Sequence, residues 1–220
     1  MNVKYTTTIG RPPRISREDI ASAALNIGLN NITLKKIASH LGVDHSSLYR
    51  HVKNRKDITY DALELAVTKI NLSNSTTDWK EYLHYIANEI WELYSRYKGL
   101  AATMRTSERT PPTAIAMFSV ACNKLETLGF KTEDAALIID SIIDMTTDSA
   151  STWQQLNTLD DEGHKAAERL SHSWEIAKNS NTIKHVGLII KVIENDPKQW
   201  WLKKLSLLIS GAEKYNQSQY

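Results

Sequence analysis

Residues 33–57, TLKKIASHLGVDHSSLYRHVKNRKD, carry the pattern that decides the fold. Leu34, Ile37, Ala38 and Leu41 recur at helical spacing on one face, and the Thr33 hydroxyl ahead of them suits a helix cap, so a short helix is predicted over LKKIASHL. Gly42 stops it, and Asp44 is placed to cap a further helix over HSSLYRHV. Two short helices joined by Leu41-Gly42-Val43-Asp44, with apolar residues on their inner faces, make a helix-turn-helix. In that motif the second helix lies in the major groove of DNA.

Upstream, Ser16-Arg17-Glu18-Asp19 has the spacing of a capping box and starts a first helix whose Ile20, Ala23, Ala24 and Ile27 share one face before Gly28. Downstream, Asn54 caps a fourth helix predicted from Arg55 towards Asn71, with Leu63, Ala66, Val67 and Ile70 at helical spacing. The polar, turn-rich stretch from Asn71 to Asp78 marks a domain boundary, which divides the chain into residues 1–71 and 72–220. Further helices are predicted at about 79–97, 112–128, 133–158, 161–179, 182–194 and 198–215, with a brief one at 99–105. All five prolines fall between these periodic segments, and no stretch alternates as a strand would. The fold class is all-α: an N-terminal three-helix DNA-binding domain with the helix-turn-helix, followed by a larger helical domain.

The bulk composition agrees. With 41% apolar and 24% charged residues the chain is neither disordered nor membrane-like. No apolar run approaches the roughly 18 residues of a membrane span, and MNVKYTTTIGRPPR lacks the apolar core of a secretion signal, so a cytoplasmic location is expected. The lone Cys122 fits a reducing compartment and a small core residue. Charge is unevenly placed: residues 1–70 hold 11 Lys or Arg against 6 Asp or Glu, whereas residues 71–220 hold 16 against 19. A basic end on an otherwise acidic chain suits one domain that meets a polyanion.

Matches at Thr33, Ile37, Ala38, Leu41, Gly42, Val43, Leu48, Tyr49 and His51 make the stretch resemble the tetracycline-repressor family, whose DNA-binding domain carries a pattern close to T-x-x-x-I-A-x-x-L-G-V-x-x-x-x-L-Y-x-H. Gly129-Phe130, Glu133-Asp134-Ala135 and Leu208-Ile209-Ser210-Gly211-Ala212-Glu213-Lys214 resemble stretches of the family's C-terminal domain. The resemblance implies a homodimeric, ligand-responsive regulator of double-stranded operator DNA.

Residue roles follow from chemistry and from that resemblance. His45, Ser46 and Ser47 begin the third helix, where donors and acceptors reach base edges, with Lys35 reaching in from the second helix. Small polar residues there also simply extend the Asp44 cap. Thr33, Tyr49, Arg50, His51, Lys53 and Arg55 suit phosphate oxygens; the family's matching tyrosine and histidine do contact phosphates. A second placement puts the Tyr49 ring in the small core with its hydroxyl outside. Gly10-Arg11-Pro12-Pro13-Arg14 resembles the family's basic N-terminal arm, with Arg11 and Arg14 suited to a narrow minor groove; a solubilising tail is the alternative. Ile138, Ile139, Ile142, Met145, Trp201, Leu205, Leu208 and Ile209 lie on the two helices that pair across the family's dimer, and core packing is the alternative for any one of them.

The family's tetracycline-binding members hold a magnesium-chelated drug with a histidine on the short sixth helix and another at the end of the fourth. The matching regions here offer Thr103-Met104 and Asn71, so a magnesium-tetracycline site has no basis and no metal or cofactor is expected. Asn71, Trp91, Tyr94, Met104, Met117, Phe118 and Trp153 are instead the candidate pocket residues, suited to a mainly apolar small-molecule effector. Asp140, Asp144 and Asp148 stack like charges at i, i+4 and i+8. A solvated face explains this; an Asp140 or Asp144 that faces inward would let the mainly apolar effector also carry positive charge. No HExxH, GxSxG or phosphate-binding glycine loop supports an enzyme, and a purely architectural DNA binder would not need so large a second domain.

Overall fold

A computed structural model of the chain describes residues 15–177 and 183–216. Eleven α-helices occupy them: α1 (Arg17–Ile27), α2 (Leu34–Leu41), α3 (His45–Leu48), α4 (Arg55–Val67), α5 (Trp79–Arg96), α6 (Leu100–Thr106), α7 (Pro112–Thr127), α8 (Thr132–Leu156), α9 (Ala166–Ile176), α10 (Ile183–Glu194) and α11 (Pro197–Ala212). The only extended pairing among the described residues is an isolated bridge between Leu159 and Lys165. No helix described is long and apolar enough to cross a membrane. The proposed arm arginines, Arg11 and Arg14, lie outside the described residues.

The helix starts are where the caps predict. Ser16 and Asp19 form the reciprocal capping box of α1, and the Thr33, Asp44 and Asn54 side chains accept from Lys36, Ser46 and Asp57 amides at the heads of α2, α3 and α4. Three ends differ. α3 stops at Leu48 rather than Val52, because the His51 and Val52 amides both turn back to the Leu48 carbonyl, at 2.9 and 3.1 Å. α4 stops at Val67 rather than running to Asn71: Lys69 and Ile70 close tight turns on Ala66 and Val67, and the Asn71 amide is taken by Glu89 at 3.0 Å. α9 begins at Ala166 rather than 161, since the Asp160 carboxylate accepts from the Glu162 and His164 amides and holds the preceding segment as a turn.

The N-terminal end, which holds the helix-turn-helix, is a small helical layer in which Ile20, Ile37, Leu48 and Ile58 are fully buried. α4 continues this core into the body, where α5, α7, α8 and α11 enclose Leu83, Ile86, Leu125, Ile139, Ile142 and Leu205 in the same apolar cluster. Inside it, Trp201 stacks on Trp91 with ring centroids 4.6 Å apart, and Trp153 flanks Trp91 at 6.4 Å.

Tyr82 is the main misfit in this core. It is 1% exposed, its hydroxyl has no hydrogen-bond partner among the described residues, and burial, aided by Cys122 and Tyr85, pushes its pKa up to about 12. An unfolded phenol ionises near pH 10, so between about pH 10 and 12 the unfolded state loses a proton that the folded state keeps, and stability falls as pH rises. Tyr82→Phe is expected to hold or raise stability at pH 7, by up to about 1 kcal/mol, and to flatten the alkaline loss. Denaturant melts of both proteins at pH 7 and 11 measure this; parallel losses in the two would show that Tyr82 is not its source.

Candidate DNA-reading surface and effector cavity

The helix-turn-helix owes its geometry to packing on one side. Ile37, Ala38 and Leu48 are buried between α2 and α3, and the Val43 amide reaches the Ala38 carbonyl at 3.0 Å, so the opposite face of both helices is left to solvent. His45 and Ser46 stand on that face, and Ser47 is half-buried beside them. The Ser46 hydroxyl and amide hold the Asp44 carboxyl below the usual carboxylate range, which keeps the cap ionised. Tyr49 is 54% exposed, which excludes a ring buried in the small core; the ring meets His45 edge-on at 5.2 Å. The two aromatic groups therefore brace one another on the open surface.

The other proposed DNA contacts border this patch. Lys35, Arg50 and Lys53 are exposed and His51 is half-buried. Thr33 already accepts the Lys36 amide, leaving its hydroxyl proton to donate outward. Arg55 spends one nitrogen on the Leu29 carbonyl at 3.3 Å, which ties the start of α4 to the 3₁₀ turn Leu29–Asn31 and limits what Arg55 offers a phosphate.

A cavity of about 700 Å³ lies in the body between α5, α7 and α8, closed below by the end of α4 and by α6. Of the proposed pocket residues, Tyr94, Met104, Met117, Phe118, Asp140 and Asp144 line it. Three do not. Trp91 and Trp153 belong to the tryptophan stack, and Asn71 is committed to the chain itself: its side chain accepts the Ser73 amide and its carbonyl accepts the Tyr85 hydroxyl. Periodicity alone could not separate these aromatics, because core-facing and cavity-facing positions lie within one turn of the same helix.

The charge of the wall was only half legible. Asp140, Asp144 and Asp148 all border the cavity, and Arg105 from α6 pairs with Asp148 at 2.5 Å. Asp140 and Asp144 are exposed, as a solvated face would leave them, and no ion pair engages either among the described residues, so they form a negative, solvent-facing rim to the cavity. The buried Tyr94 hydroxyl lies 2.9 Å from the Thr147 hydroxyl, and burial raises its pKa, which keeps it neutral beside Asp144.

The residues proposed for dimer contacts divide. Ile138, Ile139, Ile142, Trp201, Leu205 and Ile209 are buried within the chain, so they build its own core and leave nothing for a second copy; Met145 and Leu208 are half-buried. The apolar side chains that α8 and α11 turn outward are Leu137, 54% exposed, and Leu207, 78% exposed. The apolar periodicity of α8 and α11 thus marks mainly the face each helix turns into the chain's own core, where the apolar side chains are the more numerous.

It missed the joints between the two ends of the molecule. At one, the Leu29 amide donates to the Lys98 carbonyl at 2.9 Å, and Gly99 lies against Asn30; the Gly99 amide donates to the Gln154 Oε1 of α8, whose side-chain Nε2 donates to the Tyr94 carbonyl. At the other, Lys56, Tyr60 and Glu64 recur at i, i+4 and i+8 on α4 and meet Glu108, Arg109 and Thr113. The Lys56–Glu108 pair is open to solvent and adds little. Arg109 over the Tyr60 ring at 4.2 Å is worth roughly 0.5–1 kcal/mol. Glu64 dominates: its half-buried carboxylate accepts both the amide of Thr113, at 3.2 Å, and the Thr113 hydroxyl. Hydrogen bonds to a charged group contribute roughly 1.5–3 kcal/mol.

Comparison with known proteins places this architecture. Residues 73–215 match the family described as tetracyclin repressor-like, C-terminal domain. The chain is 26% identical over 212 residues to the tetracycline repressor protein class C of Escherichia coli, covering 91% of this chain and 92% of that one. It superposes on the Streptomyces coelicolor TetR family protein ActR in complex with actinorhodin with a TM-score of 0.74 at 18% identity, covering 94% and 100% of the two chains. A TetR variant from Acinetobacter baumannii AYE in complex with minocycline gives a TM-score of 0.64 at 18% identity, covering 91% and 97%.

Proposed function

The chain belongs to the tetracycline-repressor family of transcriptional regulators, and from that premise we propose that it is a repressor that binds a pseudo-palindromic operator as a homodimer and is released by a lipophilic cation. The observation that carries this is the pairing of an open, polar α3 start at the basic end with a cavity whose unpaired charges are Asp140 and Asp144. His45 and Ser46 read base edges, with Lys35 and Ser47 beside them. Thr33, Tyr49, Arg50, His51 and Lys53 hold phosphates and set register. One four-residue α3 covers too little DNA for a regulator's selectivity, so two copies act together, joined over the outer faces of α8 and α11 around Leu137 and Leu207. Half-sites then lie about 34–36 Å apart or a multiple of that.

Selection of bound duplexes from a random DNA pool tests the DNA half. A two-fold symmetric consensus is expected, and His45→Ala should alter the preferred base pair at one position of each half-site by about 1–3 kcal/mol. His51→Ala should instead weaken all sequences alike. Equal weakening of consensus and random DNA by His45→Ala would remove His45 from base reading, and no enriched duplex would end the repressor reading.

For the effector, the related structures hold actinorhodin and minocycline, so cavities of this fold admit polycyclic ligands. Here the aromatic and methionine walls with two unpaired carboxylates favour positive charge. Tetraphenylphosphonium and tetraphenylborate share size and shape but differ in sign. In thermal-shift titrations the phosphonium is expected to stabilise the protein and the borate not to, and Asp144→Asn should weaken the phosphonium about tenfold, roughly 1.4 kcal/mol. Preference for the borate, or magnesium-dependent stabilisation by tetracycline with release of DNA, would overturn the assignment.

A further inference from the structure

We propose that Glu64 is the coupling residue through which the DNA-reading end and the effector cavity sense one another. The inference deepens the regulator reading above and rests on it. α7 begins at Pro112 after Pro111, and no residue of its own segment caps it by a side chain. The first turn of a helix leaves amides without partners, and here the missing acceptor comes from another part of the molecule: Glu64 on α4 takes both the amide and the hydroxyl of Thr113. The order of α7's first turn thus depends on where α4 stands.

That turn leads directly into the cavity wall. Ala114, Ile115, Met117 and Phe118 follow Thr113 and all border the cavity. On the other side, α4 starts two residues after Lys53, carries Arg55 into the 3₁₀ turn Leu29–Asn31, and packs along α1, where Arg17 holds Asp61 with two bonds of 2.9 Å. A shift of α4 therefore moves the whole DNA-reading layer. The ion pair of Lys56 and the ring contact of Tyr60 are with Glu108 and Arg109 in the loop ahead of α7, so they position that loop without bonding the helix. Glu64 alone of the three bonds α7 itself. A ligand that displaces the start of α7 pulls on α4 through this carboxylate, and by reciprocity DNA that fixes α4 must steady the start of α7.

Reciprocity gives a test that needs no effector. Amide hydrogen exchange is measured for residues 114–118 in the full chain, with and without a duplex selected from the random pool, in the wild type and in Glu64→Ala, Glu64→Gln and Thr113→Val. In the wild type the duplex is expected to slow exchange there about three- to tenfold. In Glu64→Ala the response should vanish, while protection of α2 and α3 by the duplex persists and shows that the protein is folded and bound. Glu64→Gln and Thr113→Val each keep part of the link and should give intermediate responses. An equal response of residues 114–118 in the wild type and Glu64→Ala, or none in the wild type, overturns the coupling role. Failure to enrich any duplex is a separate result, which removes the regulator reading and this inference with it.

Discussion

Trp201→Ala is expected to lower the unfolding free energy by about 3–5 kcal/mol, the largest effect of any substitution considered. The residue is 1% exposed, its ring stacks on Trp91, and its indole N–H donates to the Thr146 hydroxyl at 3.1 Å, where Thr146 is itself fully buried. Truncation opens a void between α5, α8 and α11 and strands a hydroxyl that cannot reach water. Trp201→Phe keeps most of the volume but loses the N–H donor, so it should cost less, about 1–3 kcal/mol. Denaturant midpoints at unchanged slope measure both. A loss under 1 kcal/mol for the alanine variant would mean that the stack is not the pillar of the body.

Gly99→Ala should follow, at about 2–4 kcal/mol from two separate causes. Gly99 has φ +80°, which an alanine adopts only with strain, and its added Cβ would lie 2.5 Å from the Asn30 Oδ1 and 2.8 Å from the Asn30 backbone nitrogen. The side chain of Asn30 can swing away, but its backbone is held in the 3₁₀ turn by the Asn31 and Leu29 amide bonds. Gly163 separates the causes, because its φ is +86° with nothing within 4 Å of an added Cβ. Gly163→Ala should show the backbone cost alone, about 1–2 kcal/mol. Gly99→Ala should additionally weaken DNA binding, since the intruding methyl pushes the DNA-reading end away from the body. Equal melting losses for the two glycine variants would show that the close approach at Asn30 carries no energy.

The amino-acid sequence by itself determined the elements and the DNA-reading end. Capping side chains and apolar periodicity are local, so Ser16, Thr33, Asp44 and Asn54 start their helices where spacing places them, and Ile37, Ala38 and Leu48 turn inward as the pattern requires. The helix-turn-helix is built from contacts within some 25 residues, which is why His45 and Ser46 could be assigned to its open face. What only the tertiary structure decided lies between residues far apart in the chain. Whether Trp91 fills the core while Tyr94 borders the cavity depends on what α8 and α11 bring opposite each. Ile139 and Leu205 look as suitable for a partner as Leu137 and Leu207, until the packing of α8 against α11 buries the first pair and exposes the second. Glu64 reads as one more solvated charge on an amphipathic helix. Its role arises only because the fold sets it against the uncapped start of α7, 49 residues further on.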